Sequence, residues 1–233
     1  MCLIDDVEYE IGSYPLISES MSSANRRDQL EAVLQGGTGL KASVLEAGFA
    51  DTSLPRQSQV KTNWYVITGA PCSGKTTILD RLANLGFDTS PEIGRQVIER
   101  ALSAGYSTEE IFSDQQLLQT IILKEKIETH SALDPTNLIV LEDGLPESLA
   151  YHRYSGLETP GLRQVVDRYL YKKVLFFDRL PLVNDSARPQ NEEENRKLQR
   201  AKEQAYLDLG YELVRTPVLP VEERVAFVIN LIE

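Results

Sequence analysis

From residue 64 onward, short apolar runs alternate with longer stretches whose apolar positions recur at helical spacing. The runs at 64–68, 87–89, 138–141, 173–177 and 211–214 predict strands. The segments 74–85, 92–104, 108–129, 146–154, 162–169, 191–209 and 221–232 predict helices. In the last of these, Val221, Val225, Val228 and Ile232 share one face, Pro220 precedes the first turn, and Glu222 and Glu223 lie within it. That is the pattern of a helix that packs against a core. Strands and helices in alternation predict an α/β fold of βαβ units around a mainly parallel, five-stranded sheet.

Residues 1–63 are different. They are rich in Ser, Gly, Asp and Thr and hold no sustained period of either kind, so they read as a poorly structured, flexible N-terminal extension ahead of a domain at 64–233. One stretch, 24–34, can form a helix with Leu30, Val33 and Leu34 on one side before Gly36, Gly37 and Gly39 stop it.

Composition narrows the function classes. Of 233 residues, 42% are hydrophobic and 25% charged, as in a globular protein with a sizeable core. The net charge of -11 is spread along the chain, with nine acids and four bases in residues 1–60, and it argues against nucleic-acid binding. No apolar run approaches the roughly 18 residues that span a bilayer. The opening MCLIDDVEYE carries acids where an export signal carries bases, so no membrane or secretory role is expected. Two cysteines, Cys2 and Cys72, cannot build a disulfide scaffold, and the expected location is intracellular and cytoplasmic. His130 and His152 are too few for a metal site and are expected on helix surfaces. The tyrosines Tyr151, Tyr154, Tyr169 and Tyr171 are expected to pack rather than to stack on a base.

The chemistry concentrates between the first strand and the first helix of the domain. Residues Gly69, Ala70, Pro71, Cys72, Ser73, Gly74, Lys75 and Thr76 read GxxxxGK[ST], directly after WYVIT and before a helical period. Gly69 and Gly74 allow the tight turn that aims successive N–H groups at a β-phosphate, at the positive end of the following helix. Lys75 is expected at the β- and γ-phosphates, and the Thr76 hydroxyl on Mg²⁺, with Thr77 completing the nucleotide contacts. Cys72 is read as a small loop residue, since nothing marks it as a lowered-pKa thiol. The run LIVLED at 138–143 is an apolar strand ending in Glu142 and Asp143, the kind of strand beside a phosphate loop whose terminal acid orients the metal. Glu92 follows a short strand at the sheet end where open α/β folds bind ligands, which suits a base for an acceptor hydroxyl. Arg95, one turn on, is placed either to hold an acceptor or to pair with Glu92 or Glu99.

The segments YVITGAPCSGKTTILDRLANLGFDTSPEIGRQVIE, LEDGLPESLAYHRYSG and LGYELVRTPVLPVEERVAFVI resemble the NadR-like AAA-type ATPase domain over 64–233. That resemblance implies a three-layer P-loop NTPase fold like that of nucleoside and nucleotide kinases. The family's Pro-Glu pair falls on Pro91 and Glu92, and its arginine three residues on falls on Arg95. Its Asp-Arg-Gly-Leu-Pro-Asp strand end falls on Glu142 to Glu147, which makes Glu142 the metal acid and puts Asp143 where the family has arginine. A lid arginine is implied at Arg188, in SARPQNEEE, to stabilise the transferring phosphoryl; Arg179, Arg196 and Arg200 lie near it in sequence.

Two functions follow. One is a small-molecule kinase or ATPase that uses Mg²⁺ and ATP, with Lys75, Glu92 and Arg188 catalytic and Glu92 and Arg95 on the acceptor. The other is a nucleotide-dependent switch that controls a protein partner through the extension. No Asn/Thr-Lys-x-Asp guanine motif occurs, which leans the base toward adenine.

Overall fold

The computed structural model describes residues 23–36, 59–69, 73–157, 160–180 and 192–232. By their contacts these fall into a helical unit drawn from 23–36 and 93–125 and a sheet-bearing unit drawn from 59–92 and 126–232.

The sheet-bearing unit contains strands β1 (Val60–Lys61), β2 (Trp64–Gly69), β3 (Asp88–Ser90), β4 (Ile139–Glu142), β5 (Tyr169–Leu170), β6 (Lys173–Phe177) and β7 (Leu213–Thr216). The main sheet runs β3-β4-β2-β6-β7, and every pair in it is parallel. Strand β2 occupies the centre, and all six of its residues are buried, as a strand covered on both faces requires. Side chains alternate across it. Tyr65 and Ile67 join Val140, Leu175 and Phe177 on one face, packed on Ile78, Leu79 and Leu82 of the helix Lys75–Asn84 and on Val225, Val228 and Ile232 of the final helix, Val221–Ile232. On the other face, Thr68 bonds Glu147 of the helix Glu147–Tyr154, and the helix Glu192–Asp208 packs on β2. The result is the helix–sheet–helix layering that the alternating pattern implies. A second, two-stranded parallel sheet joins β1 to β5.

The helical unit is built from the helices Ser23–Leu34, Ile93–Ser103 and Thr108–Phe112 and the first part of Gln115–Ala132, whose residues from Lys126 belong to the other unit. Leu30 and Leu34 are buried together with Val97, Ala101, Ile111, Leu118 and Ile121. Residues 23–34 of the N-terminal region are thus a docked helix, held by Leu30, Val33 and Leu34 near its C-terminal end. The Arg100 guanidinium donates to the last-turn carbonyl of Leu34 at 2.6 Å and pairs with Glu125 at 2.8 Å, so it satisfies a C-terminal acceptor with a charge the helix dipole favours. Arg26 pairs with Glu110 and Arg27 with Asp114.

Several elements differ from their sequence patterns for local reasons. The segment 108–129 is two helices, because Ser107 and Glu110 form a capping box and Asp114 caps a fresh start, its Oδ1 accepting from Leu117 N–H at 3.0 Å. The last strand begins at Leu213, two residues late, since the Tyr211 N–H is used to close the preceding helix on Tyr206 O at 3.1 Å. The helix expected at 162–169 ends at Val166, and Tyr169 and Leu170 pair as β5. His130 and His152 are buried rather than on helix surfaces, each with its Nδ1–H donating at 2.7 Å to the carbonyl four residues back.

Candidate nucleotide-binding site

Strand β2 delivers the phosphate loop to the carboxyl edge of the sheet, where open α/β folds place their ligands. Two glycines frame what is described of it. Gly69 has φ 141°, and a Cβ there would lie 2.2 Å from the Phe177 carbonyl oxygen at the end of β6, so no side chain fits between the strands. Gly74 caps the helix Lys75–Asn84 in the left-handed region, with φ 81° and ψ 21°. Ser73 and Lys75 are buried on either side of it. Ala70, Pro71 and Cys72 lie outside the described residues, as does Arg188.

The Lys75 ammonium is 3.3 Å from the Gly69 carbonyl, folded back over the loop. The Thr76 hydroxyl donates to Glu142 Oε1 at 2.9 Å, which joins the first turn after the loop to the end of the neighbouring strand β4. Thr77 points outward, exposed. Burial pushes the Glu142 carboxyl up to about 7, and the negative charges of Glu92 and Asp143 add to it against the pull of Lys75 and the Thr76 hydroxyl. A carboxylate lacking a full counter-charge beside a hydroxyl is a pair of hard oxygen donors suited to a divalent cation. Among the described residues no three His, Cys, Asp or Glu side chains gather to hold a metal on their own.

Glu92 is half-buried and close enough to act on Glu142, Tyr151 and Lys202. Arg95 stands in the helical unit, exposed, with its Nε 3.7 Å from Glu99, so of its candidate roles the structure displays the intrahelical pair. Arg196 and Arg200 are exposed on the helix Glu192–Asp208.

Beyond Glu142 the chain turns through Asp143, a non-glycine residue with φ 62°. Three side chains hold the turn. Tyr206 OH accepts the Gly144 N–H at 3.1 Å and donates to Glu147 Oε2 at 2.7 Å. Tyr171 OH accepts the Leu145 N–H at 3.0 Å and donates to His130 Nε2 at 3.0 Å; that direction is fixed because His130 Nδ1 carries the proton given to a carbonyl. Lys126 donates to Gly144 O at 3.2 Å. Asp143 itself pairs with Lys202. Burial raises the Asp143 carboxyl, but Lys202, assisted by Lys75 and Lys126, outweighs it and holds the group below the usual carboxylate range. Glu147 is pushed the other way, by burial and by Asp143, to about 7.

The residues that sequence reasoning missed are those that surround this turn with charge and hydroxyls. Lys202 follows Leu198 by four and precedes Ala205 by three, so it sits on the inward stripe of its helix, and that stripe is the signal that could have found it. Tyr171 and Tyr206 are core aromatics with polar tips in use.

Glycine-framed loop, buried lysine, helix-start threonine and strand-end acid on a parallel sheet with helices on both faces define a P-loop NTPase domain of kinase-like fold. The sequence model of an AAA domain family matches residues 64–224, and the chain belongs to that family. No curated protein sequence matches the chain. Solved structures share its fold: a NadR protein in complex with NR has a TM-score of 0.54 at 14% identity, over 72% of this chain and 49% of that one. A NadR protein in complex with NAD and AMP-PNP gives 0.51 at 12%, with the same shares. Thymidylate kinase from Candida albicans gives 0.50 at 16%, over 75% of this chain and 92% of that one. The chain therefore matches about half the length of the NadR chains. No helix among the described residues is long and apolar enough to cross a membrane.

Proposed function

We propose that the protein binds ATP with Mg²⁺ and transfers or hydrolyses its γ-phosphoryl group as a small-molecule kinase or ATPase. The observation that carries this reading is the Thr76–Glu142 contact beside Lys75, one hydroxyl and one buried carboxylate held together at the mouth of a glycine-framed loop. Mg²⁺ held by Thr76 and Glu142 would neutralise charge on the transferring phosphates, using one or two protein oxygens as this ion commonly does. The loop amides and Lys75 bind and orient the phosphates. Glu92, at the end of β3, is the group assigned to accept the proton of an acceptor hydroxyl. The same residues would serve in cytoplasm and require neither a membrane nor a nucleic acid.

A nucleotide-dependent switch is the second reading, and Asp143 favours it, because a carboxylate paired with Lys202 occupies the position of the family's arginine. Calorimetry of Lys75→Ala with MgATP tests the shared premise: binding is expected to be lost with the melt unchanged, and wild-type affinity would remove the phosphate-loop reading.

A further inference from the structure

Arg224 lies in the first turn of the final helix, and only 2% of it is exposed. Its Nη2 donates to the Ser73 carbonyl at 2.8 Å, and its guanidinium carbon sits 4.5 Å from the centre of the Phe177 ring. Its Nη1 fills the space beneath Gly74, where a Cβ would approach it to 2.9 Å. Among the described residues no carboxylate pairs with it, and burial lowers its proton affinity with no acid raising it. A buried cation without a counter-charge is costly, and an apolar side chain would cover Phe177 without that cost. Unpartnered buried polar atoms gather at the same corner: Arg224 Nε, Ser73 Oγ, and Thr216 Oγ1, whose residue pairs in register with Phe177.

Peptide geometry shows what the Ser73 contact does. A trans, planar peptide directs its carbonyl and its N–H to opposite sides. With the Ser73 carbonyl held toward Arg224, the Gly74 N–H is turned away from it. The left-handed Gly74 then joins its N–H to those of the helix start, the arrangement in which backbone amides form an anion nest. A counter-charge that no described residue supplies and the aimed amide call for the same ligand, a polyphosphate in the loop.

We propose that Arg224 is a positioning residue of the phosphate loop: it fixes the Ser73–Gly74 peptide so that the Gly74 amide meets a phosphate oxygen, and the nucleotide's phosphates supply a counter-charge that no described residue gives its guanidinium. The proposal rests on the nucleotide-binding reading above. It extends that reading from the contiguous motif to a side chain about 150 residues away in sequence.

The test uses the full chain as wild type, Arg224→Met, Arg224→Lys and Lys75→Ala, titrated with MgATP by calorimetry across a range of salt. Arg224→Met is expected to melt like wild type, to bind MgATP at least ~10-fold more weakly, and to show a shallower salt dependence. Arg224→Lys, which keeps the charge and one donor, is expected to recover much of the loss. Wild-type affinity and salt dependence in Arg224→Met, with binding lost in Lys75→Ala, would overturn the proposal and leave the nucleotide reading standing. Unaltered binding in Lys75→Ala would overturn both. Should Arg224→Met fail to fold, the wild-type Arg224 Nε–H resonance decides, identified by its loss in Arg224→Lys: a shift on adding MgATP supports the proposal, and an unmoved resonance refutes it.

Discussion

The Lys202 ammonium lies 2.6 Å from Asp143 Oδ2, and each side chain is only 1% exposed. This ion pair is almost fully desolvated, and its aspartate stands directly after the strand-end acid Glu142. The turn that places it favours an aspartate at this position. At φ 62°, Asp is among the few non-glycine residues that the left-handed region tolerates, whereas a long side chain there costs about 1–2 kcal/mol. The counter-charge to Asp143 comes from the helix Glu192–Asp208, where Lys202 also lies 5.3 Å from the Tyr151 ring.

Breaking such a pair leaves one buried charge alone, which costs about 3–5 kcal/mol. Lys202→Met is therefore expected to lower unfolding stability by that amount in urea, and Lys202→Met with Asp143→Asn to regain most of it. A single variant within about 1 kcal/mol of wild type would show that the pair contributes little.

In the helical unit, Leu34 is fully buried among Val97, Ala101 and Leu118. Leu34→Ala is expected to cost about 2–5 kcal/mol, and deleting residues 1–36 to expose the same apolar surface and lower the melting temperature. Hydrogen exchange in the helix Ile93–Ser103 reads this directly, since its amides should lose protection in both proteins.

The parts of the site that are legible in the sequence are contiguous. Gly69, Gly74, Lys75 and Thr76 form one motif, and Glu142 ends an apolar run, so short-range pattern is enough to place them. Lys202, Arg224 and Tyr206 carry ordinary helical spacing, and their roles depend on partners 59 to 151 residues away, which no local window contains. Leu30 and Leu34 show the same limit: their stripe predicts a helix, but its burial depends on the surface it meets. The split at Ser113 and Asp114 is readable only through capping chemistry that competes with a continuous helical period.

The Glu142 carboxyl, raised to about 7 from an ordinary 4.5, makes stability depend on pH. Between those values the folded protein holds a proton that the unfolded chain has released, so the stabilisation is complete below about 4.5 and is lost as pH rises through about 7. Glu142→Gln cannot ionise. It is expected to match wild type near pH 4.5 and to exceed it by up to about 3 kcal/mol at pH 8 in metal-free buffer. The slope that remains combines Glu147, whose contribution to stability is lost as pH rises, with the buried His130 and His152, whose lowered proton affinity acts in the opposite sense. Denaturation series at the two pH values check this, and equal pH slopes in both proteins would show that Glu142 is not the group that titrates.

The division of labour between Glu142 and Glu92 separates an enzyme from a switch. Glu142 touches Thr76, so Glu142→Gln is expected to weaken every Mg²⁺-dependent activity, basal hydrolysis included. Glu92 lies half-buried two residues past β3, where its charge influences Glu142 and Lys202. Glu92→Gln should thus retain ATP affinity. In a kinase it removes the acceptor's base and should cost on the order of 10²-fold or more in acceptor-stimulated turnover, with a larger effect on kcat than on the KM for ATP. In a switch there is no acceptor proton to take, and Glu92→Gln should leave hydrolysis and the response to nucleotide as they were. Turnover assays of both variants against a panel of small hydroxylated acceptors distinguish the two: a stimulating acceptor whose effect vanishes in Glu92→Gln supports phosphotransfer, and no stimulation with an unaltered variant supports the switch.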